Sequence, residues 1–185
     1  MTNQINRIIR HTVFSALFIL VSITSAVAQT NKIPGTDVSF TLPSGEWKYL
    51  ETYEVNKDVS VYLYSYAAED VVSPHGDTIV PFVKIYVHRN YTGSVYDLAY
   101  SRYVHQPFES IEEYTKGVPQ KGLGYVGAYT DAKEKRDYQF RMVYFKVKNT
   151  AIEFRCETTL DTFKQFDPRF SAIISSLKVS TGNAK

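Results

Sequence analysis

The sequence predicts an α+β domain: an α/β/α sandwich on a central, mainly antiparallel sheet of about 6–7 strands flanked by helices. Two observations carry that expectation. Apolar residues recur at every second position through most of the chain, the period of a strand with one buried face. Only two stretches switch to helical spacing, and each carries an apolar stripe that must find cover on a sheet.

Taken in order, Val38, Phe40 and Leu42 alternate with polar residues, and the run stops at the turn signal Pro43-Ser44-Gly45. Trp47, Tyr49, Glu51, Tyr53 and Val55 are expected on one face of a second strand. Val59 to Tyr66 forms the third, with Val59, Val61 and Leu63 on one side and Tyr62, Tyr64 and Tyr66 on the other. Ile79 to Val87 is apolar on both faces, as in a strand covered on both sides, and Pro81 belongs near its start. A helix follows from Ser94, an N-cap with Asp97 three residues on, and stops before Pro107. Val95, Leu98 and Ala99 make its core stripe; Tyr96, Tyr100 and Tyr103 make the adjoining one. Residues 108–121 show no period that assigns them.

The strands Leu123–Thr130, Tyr138–Val147 and Ala151–Thr158 read as an antiparallel meander. They are joined by the charged stretch Asp131–Asp137 and a tight turn at Lys148-Asn149-Thr150. The last helix is expected to open at Asp167-Pro168, an N-cap followed by proline at the first helical position. Phe170, Ile173, Ile174 and Leu177 supply its core stripe.

Ahead of this domain, Arg7 and Arg10 precede an apolar run from Val13 to Val21, and the segment ends in Ala26-Val27-Ala28. Basic start, short apolar stretch and small-residue end are the parts of a secretory signal, expected to be cut after Ala28. Residues 1–28 are thus read as a signal peptide and 29–185 as one domain, periplasmic or secreted, without a stable membrane anchor. Removing the signal takes two of the 21 basic residues and no acid, leaving 19 against 19. A formally neutral chain lacks the one-sided positive field that nucleic-acid binders use, which excludes that class. The single cysteine, Cys156, forms no intramolecular disulfide and alternates with Ile152 and Phe154, the pattern of a buried thiol.

Three stretches resemble the PsbP-like superfamily, which includes DcrB-type envelope proteins and Ran-binding nuclear import factors. They are the opening Val38-Ser-Phe40-Thr-Leu42-Pro43-Ser-Gly45-Glu-Trp47, the helix start Ser94-Val-Tyr-Asp97-Leu98-Ala99, and the ending Phe170-Ser-Ala-Ile173-Ile174-Ser-Ser176-Leu177. Leu177 stands where the family often has phenylalanine. The resemblance spans residues 36–178 and implies an α/β/α sandwich whose members are mostly adaptors, chaperones or stabilising subunits. It carries over no functional residue.

Chemistry-bearing motifs are sparse. Gly122, Gly124 and Gly127 fit G-x-G-x-x-G, but a strand and a charged hairpin follow where dinucleotide binding needs a helix N-terminus. The expected role of these glycines is a twisted or bulged strand. Ser73, His75 and Asp77 stand close in a loop without a nucleophile elbow, and His88 and His105 have no metal-ligand spacing with His75. Glu109, Glu112 and Glu113 make a small acidic cluster before Tyr114; Asn90-Tyr-Thr92 is a glycosylation sequon only in a host with that machinery. No catalytic, cofactor or metal residue is assigned. The excess lies in 15 tyrosines and 11 phenylalanines. Most are expected in cross-strand packing, and Tyr96, Tyr100 and Tyr103 are the candidate partner-binding residues. The expected function is a non-enzymatic adaptor, chaperone or stabilising module binding another envelope or secreted protein. A small hydrophobic or aromatic ligand is the alternative, and a hydrolase using His75 or the glutamates a remote one.

Overall fold

A computed structural model describes residues 28–180 other than 106 and 120. The expected signal segment, apart from its last residue, and the polar tail from 181 lie outside the described residues. Seven strands form one antiparallel sheet: β3 (Trp47–Asn56), β4 (Val59–Tyr66), β7 (Phe82–His88), β8 (Ser110–Tyr114), β9 (Leu123–Asp131), β10 (Arg136–Val147) and β11 (Thr150–Thr159). Their order is β3-β4-β7-β11-β10-β9-β8. A smaller sheet joins β1 (Gln29–Lys32), β2 (Val38–Leu42) and β12 (Lys178–Val179), and β5 (Val71–Val72) pairs with β6 (Thr78–Ile79). Helices α1 (Val95–His105) and α2 (Leu160–Ser175) pack on opposite faces of the large sheet.

The strand number agrees with expectation, but the membership differs. Val38–Leu42 is not in the large sheet; it pairs with β1 and β12. Its inward side chains explain why. Phe40 meets Phe154 and Tyr64 edge to face at 5.1 and 5.6 Å, so β2 lies over the large sheet beside α2. Ser176 at the end of α2 accepts the Thr41 N–H at 2.8 Å and ties the two together. The seventh strand comes from the unassigned stretch, where Ser110–Tyr114 pairs with β9.

Three further expectations change. Ile79–Val87 is broken at Val80 and Pro81, and only Phe82–His88 enters the sheet, between β4 and β11. The face assigned to the second strand is split, because β3 shifts register between Tyr49 and Glu51 and again between Glu54 and Asn56. Leu50 is the extra residue of the first bulge, so Tyr49 follows the α2 face with Tyr64 while Tyr53, opposite Val61, follows the α1 face. The last helix begins at Leu160 with Thr159 as N-cap, not at Asp167, and Pro168 sits inside it on the exposed side. An interior proline costs about 3 kcal/mol. The added turns bury Phe163 and Phe166, and each ring contributes about 1.5–3 kcal/mol, enough to carry the helix through the proline.

The two faces of the sheet are unlike. Toward α2 and the small sheet, Val143, Phe145, Ile152, Phe154 and Cys156 pack under Phe163, Phe166, Phe170, Ile173 and Ile174. Toward α1 the apolar cluster is small, centred on Leu98, Phe140, Met142, Tyr144 and Ala151. Charges occupy the rest of that face.

Candidate partner-binding face

Helix α1 is positioned by its cap and one buried side chain. The Ser94 hydroxyl accepts the Asp97 N–H at 3.1 Å while the Asp97 carboxylate accepts the Ser94 N–H at 2.8 Å, the reciprocal capping box the spacing predicts. The Ser94 hydroxyl also donates to that carboxylate at 2.7 Å, and this bond, with the one from the Ser94 N–H, holds the Asp97 carboxyl below the usual carboxylate range. Leu98 is buried against the sheet, with Val95 and Ala99 partly buried beside it. The adjoining stripe is therefore turned outward: Tyr96 and Tyr100 are each 70% exposed and Tyr103 40%. All three line one hollow of about 400 Å³, completed by Ala99, Phe108, Ile111, Glu113, Tyr125 and Tyr144. Tyr144 lines the hollow, and its hydroxyl is buried without a hydrogen-bond partner among the described residues.

A second opening, about 700 Å³, lies on the same side of the sheet and shares Phe108 with the first. Lys84 and Tyr86 from β7, Arg155 and Glu157 from β11 and Tyr129 from β9 line it, with Glu109 and Asp131 beside them. Glu157 takes Lys84 on one oxygen at 3.3 Å; its other oxygen takes Arg155 and the Tyr129 hydroxyl, the latter at 3.1 Å. Burial and the Glu157 charge push the Tyr129 phenol up, so it stays a donor. The Arg155 guanidinium lies over the Phe140 and Tyr129 rings at 4.4 and 5.1 Å, and its Nε is buried without a partner among the described residues. Alongside, Arg102 of α1 donates to Glu153 at 2.7 Å and covers the Tyr86 ring at 4.7 Å. Burial, reinforced by Glu153, pushes the Tyr86 phenol up to about 12.

The other sequence candidates are not brought together. The Ser73 hydroxyl accepts the backbone N–H groups of His75 and Asp77, and Asp77 pairs with Arg136, so Ser73-His75-Asp77 forms a turn rather than a relay. Glu112 and Glu113 are neighbours on edge strand β8 and project to opposite faces. Glu109 accepts from Thr130 at 3.1 Å. Cys156 is fully buried and burial pushes its thiol up. Of the twisted or bulged strand expected for the glycine run, the bulge is absent, since β9 keeps regular register with both neighbours, and the glycines meet a packing need. A Cβ at Gly124 would stand 2.8 Å from the Tyr114 ring, and one at Gly127 would stand 2.5 Å from Phe140. Among the remaining tyrosines, Tyr62, Tyr64 and Tyr66 are core residues while Tyr49 and Tyr53 are exposed.

Lys84, Arg102, Glu153, Arg155 and Glu157 were not legible as site residues one at a time. Their signal was the alternation of Glu153, Arg155 and Glu157 with Ile152, Phe154 and Cys156, which puts three charges on one face of a strand covered on both.

No protein-family model and no curated protein matches the chain. Solved structures do share its architecture. The solution structure of CyanoP, the cyanobacterial PsbP of Synechocystis, superposes with a TM-score of 0.53 over 85% of this chain and 95% of its own, at 14% identity. The fold is PsbP-like. LpqN of Mycobacterium tuberculosis, a protein involved in cell envelope biogenesis, has the same PsbP-like arrangement at a TM-score of 0.50. Its match covers 82% of this chain and 91% of its own, at 10% identity. A crystal structure from Bacteroides thetaiotaomicron matches 85% of the chain at a TM-score of 0.51 and 13% identity. The chain spans half of that protein's length. At such identities the likeness is one of fold. Two of the three stretches that resemble the superfamily in sequence meet in one cluster, where Val38, Phe40, Leu42 and Trp47 join Phe170, Ile173 and Ile174, while Leu98 of the third lies in the cluster on the other face.

Proposed function

We propose that this chain is an exported, non-enzymatic protein-binding module of the cell envelope, acting as adaptor, chaperone or stabilising subunit for a partner that docks on α1. The observation that carries the reading is the exposed trio Tyr96, Tyr100 and Tyr103 around one apolar hollow. Tyrosine supplies a large, stiff contact area with a polar tip, and exposed aromatics gathered at one hollow are what protein interfaces use as anchors. Export rests on the signal-like N-terminus, and the envelope setting is supported by the shared fold with LpqN. Among the described residues no helix is long and apolar enough to cross a membrane.

The test is capture from envelope extract with the tagged protein, using Tyr96→Ala/Tyr100→Ala/Tyr103→Ala as the control bait. One stoichiometric partner retained by the native bait and lost by the folded variant supports the reading. Equal retention by both baits, or none by either, removes it. A small hydrophobic or aromatic ligand in the same hollow is a second reading, favoured by its lining of Phe108, Ile111, Tyr125 and Tyr144. Loss of small-molecule binding on Tyr144→Phe, with partner capture intact, would select it.

A further inference from the structure

On the α1 side of the sheet, several aromatic rings are covered by cations of the protein itself. Arg102 lies over Tyr86 at 4.7 Å, Arg155 over Phe140 and Tyr129 at 4.4 and 5.1 Å, and Lys146 over Tyr91 at 5.6 Å. The hollow on α1 is different. Tyr96, Tyr100, Tyr103, Tyr125 and Tyr144 line it, and no cation of the described residues stands over any of these rings. Tyr125 meets Tyr144 at 69° and Tyr103 meets Phe108 at 62°, so the ring faces stand at steep angles to one another. The one charged side chain in the lining is Glu113, directly opposite Tyr125 in the β8–β9 pair and in no ion pair among the described residues. Burial, then the Glu113 charge and Tyr96, pushes the Tyr125 phenol up, so it stays neutral. A ring face is the negative end of its quadrupole, so these rings and the carboxylate together favour a cation and oppose an anion.

We infer that the partner docking on α1 anchors itself by an arginine, its guanidinium among the tyrosines of the hollow and its N–H groups donating to Glu113. This rests on the docking reading and names the chemistry the partner presents. Arginine fits better than lysine: the planar guanidinium stacks on a ring while its edge still reaches a carboxylate, and it gives up water more readily than an ammonium. A hollow of about 400 Å³ holds the guanidinium with its alkyl stem. Glu113 is exposed on the border strand β8, open to an approaching chain.

Titration of the purified protein followed by nuclear magnetic resonance tests the anchor, with acetyl-arginine amide set against acetyl-citrulline amide, its uncharged isostere. The arginine compound should shift the tyrosine-ring signals saturably and bind at least about fivefold more tightly than the citrulline one. Glu113→Gln should weaken the arginine compound by about threefold and leave the citrulline compound unchanged. Tyr96→Ala/Tyr100→Ala should abolish the preference, and thermal melts check that both variants fold. Equal binding of the two compounds, saturation by neither, or native arginine binding in both variants overturns the anchor. Tighter binding of tetramethylammonium than of the arginine compound also overturns it, by making the hollow a site for a free quaternary ammonium. Partner capture separates this from the docking reading. A partner lost by the triple tyrosine bait but retained by Glu113→Lys keeps the docking face and removes the arginine.

Discussion

Toward α2, strand β11 presents Ile152, Phe154 and Cys156 to a layer of phenylalanines; toward α1 it presents Glu153, Arg155 and Glu157. Both sets are buried, and the residues alternate one by one along the same backbone. What differs is the cover. On the first side a sixteen-residue helix and a second sheet close the surface completely enough for apolar packing. On the second, an eleven-residue helix covers part of the sheet and leaves two openings, and the charges beneath are matched to one another instead. One face holds the molecule together, and the other keeps ionic groups and rings within reach of solvent.

The sharpest way to break that division is to cut into the packed side. Phe170→Ala removes a fully buried ring that contacts Trp47, Phe163 and Phe166, and should cost about 3–5 kcal/mol in urea unfolding. A loss below about 1 kcal/mol would mean that α2 is loosely seated and the two faces differ less than described. On the ionic side, Arg102→Met strands the buried Glu153 and should cost about 2–3 kcal/mol, reduced from a fully buried pair because Arg102 is partly exposed. Arg102→Met/Glu153→Leu should regain most of that loss. If the double variant is as unstable as the single, the pair is not the unit of stability on this face.

A smaller effect comes with pH. His88 also projects toward α1, and burial, with Arg102 nearby, lowers it from 6.5 to about 4. As pH falls through 6.5 the unfolded chain takes up a proton that the folded chain refuses until about 4. Stability is therefore full above pH 6.5 and declines toward pH 4, by about 1–2 kcal/mol after allowing for the partial exposure of the ring. His88→Phe should flatten that part of the profile, and an unchanged slope would assign the decline to other groups. The smallest effect is expected on α1 itself. Tyr96→Ala and Tyr100→Ala should each stay within about 0.5 kcal/mol of the native protein in the same unfolding assay, since both rings stand in solvent. A larger loss would make them structural and remove them from the docking face.

The legible parts of the fold are those where local chemistry and tertiary packing agree. The Ser94-Asp97 box, the β9-β10-β11 meander and the tyrosine stripe of α1 follow from spacing alone. The errors have a common cause, which is that packing overrides a local signal. Pro168 is a strong N-terminal signal, yet Phe163 and Phe166 extend the helix through it. Val38–Leu42 alternates like any sheet strand, and nothing local reveals that it joins a separate small sheet. Leu50 reads as an ordinary strand residue and is a bulge. Ser110–Tyr114 escapes assignment because an edge strand with four exposed residues has no apolar period to show. At the site, the exposed face of α1 was legible because a helix displays its stripes in sequence order. The charged groove was not, because it assembles Lys84, Tyr129, Arg155 and Glu157 from three strands.

The bulged strand β3 also bears on how the protein behaves in company. It is the outermost strand at one border of the sheet, ten residues long and exposed from Lys48 to Asn56, so its free amide and carbonyl groups invite another chain to add itself on. A joining strand needs donors and acceptors at an even spacing. The two register shifts break that rhythm twice in ten residues, and Lys48, Glu51 and Glu54 put charge along the same border. The exposed border is thereby a poor template for a further strand.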